Sequence, residues 1–177
     1  MASIFAHGLV AGTIGKMAML NESPWKLYTL LIICSILPDA DVIMFTFGFS
    51  YDHFLGHRGF THSLLFAAIL ALILTFVFFN ISRNKFTIWL VLFLATASHG
   101  LLDALTNGGL GVAFFAPFDN ARYFLPWRPI QVSPIGAENF FSEWGLRVLK
   151  NELIWIGIPC LSLLLFSRLL SKNKQLK

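Results

Sequence analysis

Three short groups of residues carry the chemistry of this chain: Asp39 with Asp41, His57 with His62, and His99 with Asp103. Each stands at the end of an apolar run instead of inside a polar loop. A carboxylate or imidazole at a membrane boundary is unfavourable unless it has a partner or a function. His99 and Asp103 are spaced i, i+4, so both project from one helix face and can share one ion. His57 and His62 would lie ~140° apart on a single helix. Gly59 predicts a break between them, with His57-Arg58-Gly59 in a loop and His62 in the first helical turn. Asp39 and Asp41 follow Pro38 and can aim two carboxylates at one centre from an irregular turn. Imidazole and carboxylate donors suit Zn²⁺, Mn²⁺ or Fe²⁺, and two ions bridged by an Asp need about this many ligands.

Plainer roles exist for the same residues. Asp39 also suits a helix cap, and His99 with Asp103 a hydrogen bond between helices. His53 and Asp52 read as surface or interfacial groups. Trp127 and the many Phe residues read as interfacial anchors and core.

The elements that position these groups are membrane helices. Of 177 residues, 56% are hydrophobic and 12% charged, with mean hydropathy +0.72. A soluble domain carries about 25% charged residues, so this chain belongs in a bilayer. Its length suits one domain over 1–177. The +4 charge comes from scattered Lys and Arg, which excludes a nucleic-acid face and instead orients the chain in the membrane. No protein partner is legible. Cys34 and Cys160 lie in separate apolar runs and read as small buried hydrophobes. The opening Met1-Ala-Ser-Ile-Phe-Ala-His7 has no basic residue, so it does not read as a cleaved signal peptide, and His7 stays in the mature chain.

Ser63 to Ser82 holds no charge over 20 positions and is the surest spanning helix. Arg83-Asn84-Lys85 makes a basic turn, and Phe86–Leu102 is the next span. Leu153–Leu170 is the last, with Pro159 to be accommodated by a kink or by neighbouring helices. The first third is less regular. Gly8–Leu20 and Leu27–Leu37 flank a turn at Asn21-Glu22-Ser23-Pro24, and Val42–Tyr51 follows Pro38. These pieces suit short packed helices, a tilted pair, or one span broken at Pro38. Thr106–Lys150, rich in Gly, Pro and aromatics, suits an ordered extramembrane loop lying over the helices.

The positive-inside rule puts the Arg83–Lys85 turn and the Lys-rich C-terminus in the cytoplasm and the long loop outside. Alternation of the spans then brings His62, His99 and Asp103 to the outer end. A cytoplasmic Asn21–Lys26 turn brings His7, Asp39 and Asp41 there too. The sequence thus predicts an all-α, polytopic helical bundle with a loop covering a metal site.

At Leu37-Pro38-Asp39-Ala40-Asp41, His57-Arg58-Gly59-Phe60-Thr61-His62-Ser63 and Ser98-His99-Gly100-Leu101-Leu102-Asp103, the chain resembles the bacterial membrane-bound metal-dependent hydrolase family, of the LexA-regulated inner-membrane type. That family is distantly similar to zinc-dependent phospholipase C, an all-helical enzyme whose metals are held by His and Asp from several helices. The likeness runs from His7 to Pro126-Trp127. It implies metal ligation by His7, Asp39, Asp41, His57, His62, His99 and Asp103, with one or two divalent ions, zinc first. It also implies Arg58 as a phosphate-binding cation and a bacterial inner-membrane location. The phospholipase relatives use more histidines than the five here, and an N-terminal amine as a ligand, where this chain has Met1 six residues before His7.

The expected activity is hydrolysis of a phosphoester or ester in a lipid-like substrate by metal-activated water, with Asp41 orienting that water or taking its proton and Arg58 stabilising charge. The lipid follows from location, since a site at the bilayer surface meets headgroups first. Two rivals are a metal-free lipid-phosphate phosphatase with a histidine nucleophile, and a non-enzymatic metal-binding or scaffold protein. The phosphatase lacks a PSGH-like string here. Transport is disfavoured because Ser63–Ser82 offers only Thr75 and Asn80 as mid-membrane polar groups.

Overall fold

A computed structural model describes residues 1–18, 23–134 and 136–175. It is an all-helical bundle, without a strand among the described residues. Helix α1 (Ile4–Met17) begins at Ser3, whose Oγ accepts from the Ala6 amide at 3.3 Å, a standard N-cap. Of the expected turn at Asn21–Pro24, Asn21 and Glu22 lie outside the described residues. Pro24 occupies the first turn of α2 (Pro24–Ile36), where its missing N–H is harmless.

Pro38 then changes the helix type. The run Leu37–Phe47 is 3₁₀ and stops at Gly48, whose positive φ of 80° lets its amide turn back to Met44 and Phe45. The second and third apolar pieces of the first third thus join in one 24-residue rod, Pro24–Phe47, long enough to cross a bilayer, while the first belongs to α1.

Helix α3 (Leu64–Phe78) corrects the span expected over Ser63–Ser82. Ser63 caps it, accepting from Phe66 N at 3.0 Å, and it ends after 15 residues. At 1.5 Å per residue that is ~22 Å, short of a ~30 Å hydrocarbon core. Lys26 marks its end, donating to the Phe78 carbonyl at 2.8 Å with its ammonium beside the Phe78 and Phe79 rings. Helix α4 (Lys85–Ala104) has spanning length and extends one residue before the expected start and two beyond the expected end.

The last candidate span, Glu143–Leu169, also starts earlier than expected. Helix α6 (Glu143–Glu152), preceded by the short α5 (Ala137–Phe140), runs through a π-helical turn, Leu153–Gly157, into α7 (Ile158–Gln175). The wider turn precedes Pro159 and absorbs the hydrogen bond that proline cannot donate. The expected loop therefore gives way to helix from Ala137 onward. Its first part, Thr106–Pro134, is ordered against the helices: Leu125 N donates to Ala104 O, Asn107 N to Ile130 O, and Ala113 N to Arg58 O.

Helices α1 and α4 hold the middle: α4 packs against α1, α2 and α3, and α1 against α2 and α7. Leu27, Leu31, Cys34, Ile88, Leu92 and Ala95 form the core, and Cys34 and Cys160 are free buried thiols, as the sequence suggests. Outward faces carry Leu72, Ile73, Phe76, Leu161 and Phe166, which suits contact with lipid tails.

Candidate metal centre

All eight residues singled out in the sequence meet at one end of the bundle. His7 arrives on α1, Asp39 and Asp41 on the 3₁₀ run, His57 and Arg58 on the loop before α3, His62 on the turn Phe60–His62, and His99 and Asp103 on α4. Each is buried. His53 is exposed and merely accepts from the Leu55 amide, as its surface reading required.

Proline chemistry prepares one ligand. In the 3₁₀ run the Ser35 carbonyl would look to residue 38 for its donor, and Pro38 has no N–H. That carbonyl faces His99 Nδ1 at 2.7 Å. His99 Nδ1 is thereby the protonated nitrogen, and Nε2 presents a lone pair. On His62, Nδ1 faces Asp41 Oδ2 at 3.1 Å, so its lone pair also falls on Nε2. The two Nε2 atoms stand 3.0 Å apart. Two acceptors at that distance repel unless a cation or a proton lies between them.

Asp39 Oδ1 lies 3.2 Å from His99 Nε2 and 3.6 Å from His62 Nε2; Asp103 Oδ2 lies 3.7 Å from His62 Nε2 and 3.9 Å from His99 Nε2. Tetrahedral zinc with bonds of 2.0–2.1 Å would place its ligands ~3.3 Å from one another. Asp39, His62, His99 and Asp103 therefore fit one four-coordinate ion with a small inward shift. Asp39 Oδ1 is buried without a hydrogen bond, as an atom reserved for a cation would be. Charge agrees. Asp39, Asp41, Asp103 and Glu152 against Arg58 and the Met1 ammonium, 4.0 Å from Asp103, leave two negative charges, which a divalent cation neutralises.

His62 is held above its ordinary pKa, at about 9. Burial pulls it down, but the Asp39 and Asp41 carboxylates beside it, with the charge of Asp103, outweigh burial. Without an ion it carries the proton that separates the two Nε2 atoms.

His7 stacks on His99, with ring centroids 3.8 Å apart, and its Nε2 lies 3.6 Å from Asp103 Oδ1. It stands beside the four-atom cluster, not within it. Burial, then the neighbouring His99, lowers its pKa to about 4, so the ring is neutral. Neither of its nitrogens has a hydrogen-bond partner, which leaves one lone pair available to the centre.

Asp41 orients other groups. Its Oδ1 faces His57 Nδ1 at 2.7 Å; its Oδ2 accepts from Arg58 N at 3.1 Å and Thr61 Oγ1 at 2.7 Å, besides facing His62 Nδ1. Those four contacts engage both carboxylate oxygens. Asp41, His57 and His62 can also gather around a second ion. The hydrogen-bonded arrangement instead makes Asp41 the outer carboxylate that fixes histidine tautomers. His57 Nε2 points away from Asp41, and the ring borders a cleft with Tyr51.

Arg58, expected as a phosphate-gripping cation, is turned inward. It is fully buried, with Nε 3.0 Å from Asp103 Oδ2, one terminal nitrogen donating to Gly108 O at 2.9 Å and the other to Thr106 Oγ1 at 3.0 Å. Its φ of 64° is unfavourable for a residue with a Cβ. The reach of its guanidinium to Asp103 accounts for that conformation. Gly59, next in the chain, is required by space: a Cβ there would lie 2.2 Å from the Phe54 carbonyl oxygen.

Several supporting residues were not legible in the sequence. Ser35 acts through its backbone. Arg122 ties down the His57 loop, donating to the carbonyls of His57, Tyr51 and His53. Glu152 is buried and accepts from both the amide and hydroxyl of Ser3, while the neighbouring Ala2 amide donates to Asp103 Oδ1 at 2.7 Å. The usable signal for Glu152 was its place at the head of an apolar span, where an acid needs a partner.

The profile of one protein family, described as YdjM inner membrane protein, matches residues 1–175. The inner membrane protein YbcI of Escherichia coli (strain K12) is 38% identical over 160 residues, covering 90% of this chain and 92% of that one. No solved structure matches. With three helices of spanning length around a buried His/Asp cluster able to hold a metal ion, the chain belongs to the YdjM inner membrane protein family.

Proposed function

We propose that this membrane protein is a metal-dependent hydrolase acting on a phosphoester or ester of a lipid-like substrate. The observation that carries the reading is the pair of Nε2 lone pairs of His62 and His99, 3.0 Å apart and flanked by Asp39 Oδ1, which has no hydrogen-bond partner, and by Asp103 Oδ2. Those four residues would hold the ion, zinc first by donor type. A bound ion supplies Lewis acidity and makes a water more acidic.

The chain's own groups divide the remaining work. Asp41 fixes the Nδ1 protons of His57 and His62, so neither ring can turn. His57, backed by that carboxylate and bordering the cleft, is the side chain suited to move a proton at Nε2. Arg58 offsets the charge of Asp103 and keeps the carboxylate in place.

A histidine nucleophile is less well supported. His99 has Nδ1 committed to Ser35 O and Nε2 enclosed by His62 and two carboxylates. The test is release of phosphate or headgroup from zinc-loaded protein in mixed micelles. Chelation should lower the rate at least a hundredfold, and Zn²⁺ should restore it. Activity that survives chelation overturns the metal reading and favours the histidine phosphatase.

We also infer a multi-pass arrangement with the site on the outer face. The support is positional: Arg83 and Lys85 lie at the opposite end of α4 from His99 and Asp103. Cysteine at exposed Phe118, in a background without Cys34 and Cys160, should react with a membrane-impermeant thiol reagent in intact cells. Labelling only after lysis reverses the orientation.

A further inference from the structure

Glu152 is a carboxylate at the head of the last apolar span, only 5% exposed, and it stands outside both groups of residues able to gather around an ion. Its Oε1 accepts from the Ser3 amide and its Oε2 from the Ser3 hydroxyl. One residue earlier, the Ala2 amide donates to Asp103 Oδ1 at 2.7 Å. Two successive backbone amides thus join a carboxylate from α6 to a carboxylate from α4. Ala2, Ala6, Leu102, Ile156 and Cys160 pack into one apolar cluster beside them, and low-dielectric surroundings strengthen such bonds.

The plainer role for Glu152 is a capping box completed from another helix. Ser3 caps α1, and an acid that takes the amide of the cap residue is its usual companion. The connection onward to Asp103 goes beyond capping. Ala2 N is the nearest donor to Asp103 Oδ1, with His7 Nε2 at 3.6 Å and the Met1 ammonium at 4.0 Å. Oδ2 is left toward Arg58 Nε, at 3.0 Å, and toward Nε2 of His62 and His99, at 3.7 and 3.9 Å. What the outer oxygen of a ligating carboxylate bonds decides how the inner one is presented to the ion.

We propose that Glu152 is a positioning residue for the metal centre. By holding the Ser3 amide and hydroxyl it keeps the adjoining Ala2 amide on Asp103 Oδ1, and so keeps Oδ2 turned toward the ion. The last span is thereby tied to the cluster through residues 2 and 3. This rests on the metal part of the function proposed above, and it is measured on the metal alone.

Zinc affinity is read by competition with a chromophoric chelator in detergent, and ligand geometry by the visible bands of the Co²⁺-loaded protein. Glu152→Ala should weaken zinc binding ~10–100-fold, as loss of an outer partner does, and shift the Co²⁺ bands. Glu152→Gln still offers a carbonyl oxygen to the Ser3 amide, and should keep nearly wild-type affinity and bands. Ser3→Ala removes the cap hydroxyl and leaves both backbone amides. It should lower the thermal midpoint while zinc affinity and bands stay as in wild type.

Wild-type zinc affinity in Glu152→Ala overturns the proposal. So does an equal loss in Ser3→Ala, which would reduce Glu152 to a cap, or an equal loss in Glu152→Gln, which would make its charge responsible and not its hold on the amide. A wild-type protein that takes up no zinc removes the metal reading and this proposal together. Zinc bound without cleavage of any lipid ester removes the hydrolase reading alone.

Discussion

Changing His62 to Ala should lower the zinc content of the detergent-purified protein from about one equivalent to under a tenth of that, while the chain still fractionates with the membrane. His62 offers Nε2 to the cluster and Nδ1 to Asp41, so its removal takes away one of four donors and one of the contacts that place Asp41. It lies on a three-residue turn capping no core helix, which leaves Leu27, Leu31, Ile88 and Leu92 packed as before. Asp41→Asn should act through orientation: zinc affinity should fall ~10–100-fold, the range for loss of an outer partner of a ligating histidine. His7→Ala, beside the cluster, should have the smallest effect of the three. Elemental analysis of matched preparations reads all of them. Full zinc occupancy in His62→Ala would remove the metal centre from this account.

Arg58→Lys should destabilise the whole protein by about 3–5 kcal/mol, the usual consequence of uncoupling a buried ion pair. An ammonium cannot reach Asp103, Gly108 and Thr106 at once in the planar fork that Arg58 supplies. It would also retain the unfavourable positive φ without the contacts that stabilise it. Asp103→Ala should be worse than His62→Ala for the same reason: it removes a donor and also leaves a fully buried guanidinium without its anion. Thermal unfolding in detergent, followed with and without added Zn²⁺, reads the change. If Arg58→Lys instead keeps wild-type stability and zinc content but loses hydrolysis, then Arg58 contacts substrate, as its place in the HRGFTHS string first suggested.

What the sequence determined was the list of residues and their environment. Low charge, long apolar runs and isolated acids at their ends leave few alternatives to a helical membrane bundle, because hydrocarbon rejects both unpaired backbone and unpaired charge. The spacing of His99 and Asp103 and the break at Gly59 are local properties, and local properties survive into the fold.

Tertiary structure decided the roles. Whether Ser63–Ser82 is a full span depended on where Lys26, from another helix, closes off the last carbonyls. Pro38 was legible as an interruption, but its effect on Ser35 became useful only once α4 brought His99 opposite that carbonyl. Asp41 and Arg58 are a carboxylate and a guanidinium in a motif, and nothing along the chain separates a group that meets substrate from one that holds its neighbours. In the fold Asp41 is surrounded by four donors and Arg58 by three acceptors, brought together from separate parts of the chain. Ligand identity follows from side-chain chemistry, whereas the order in which shells form around a centre follows from packing, which no spacing rule encodes.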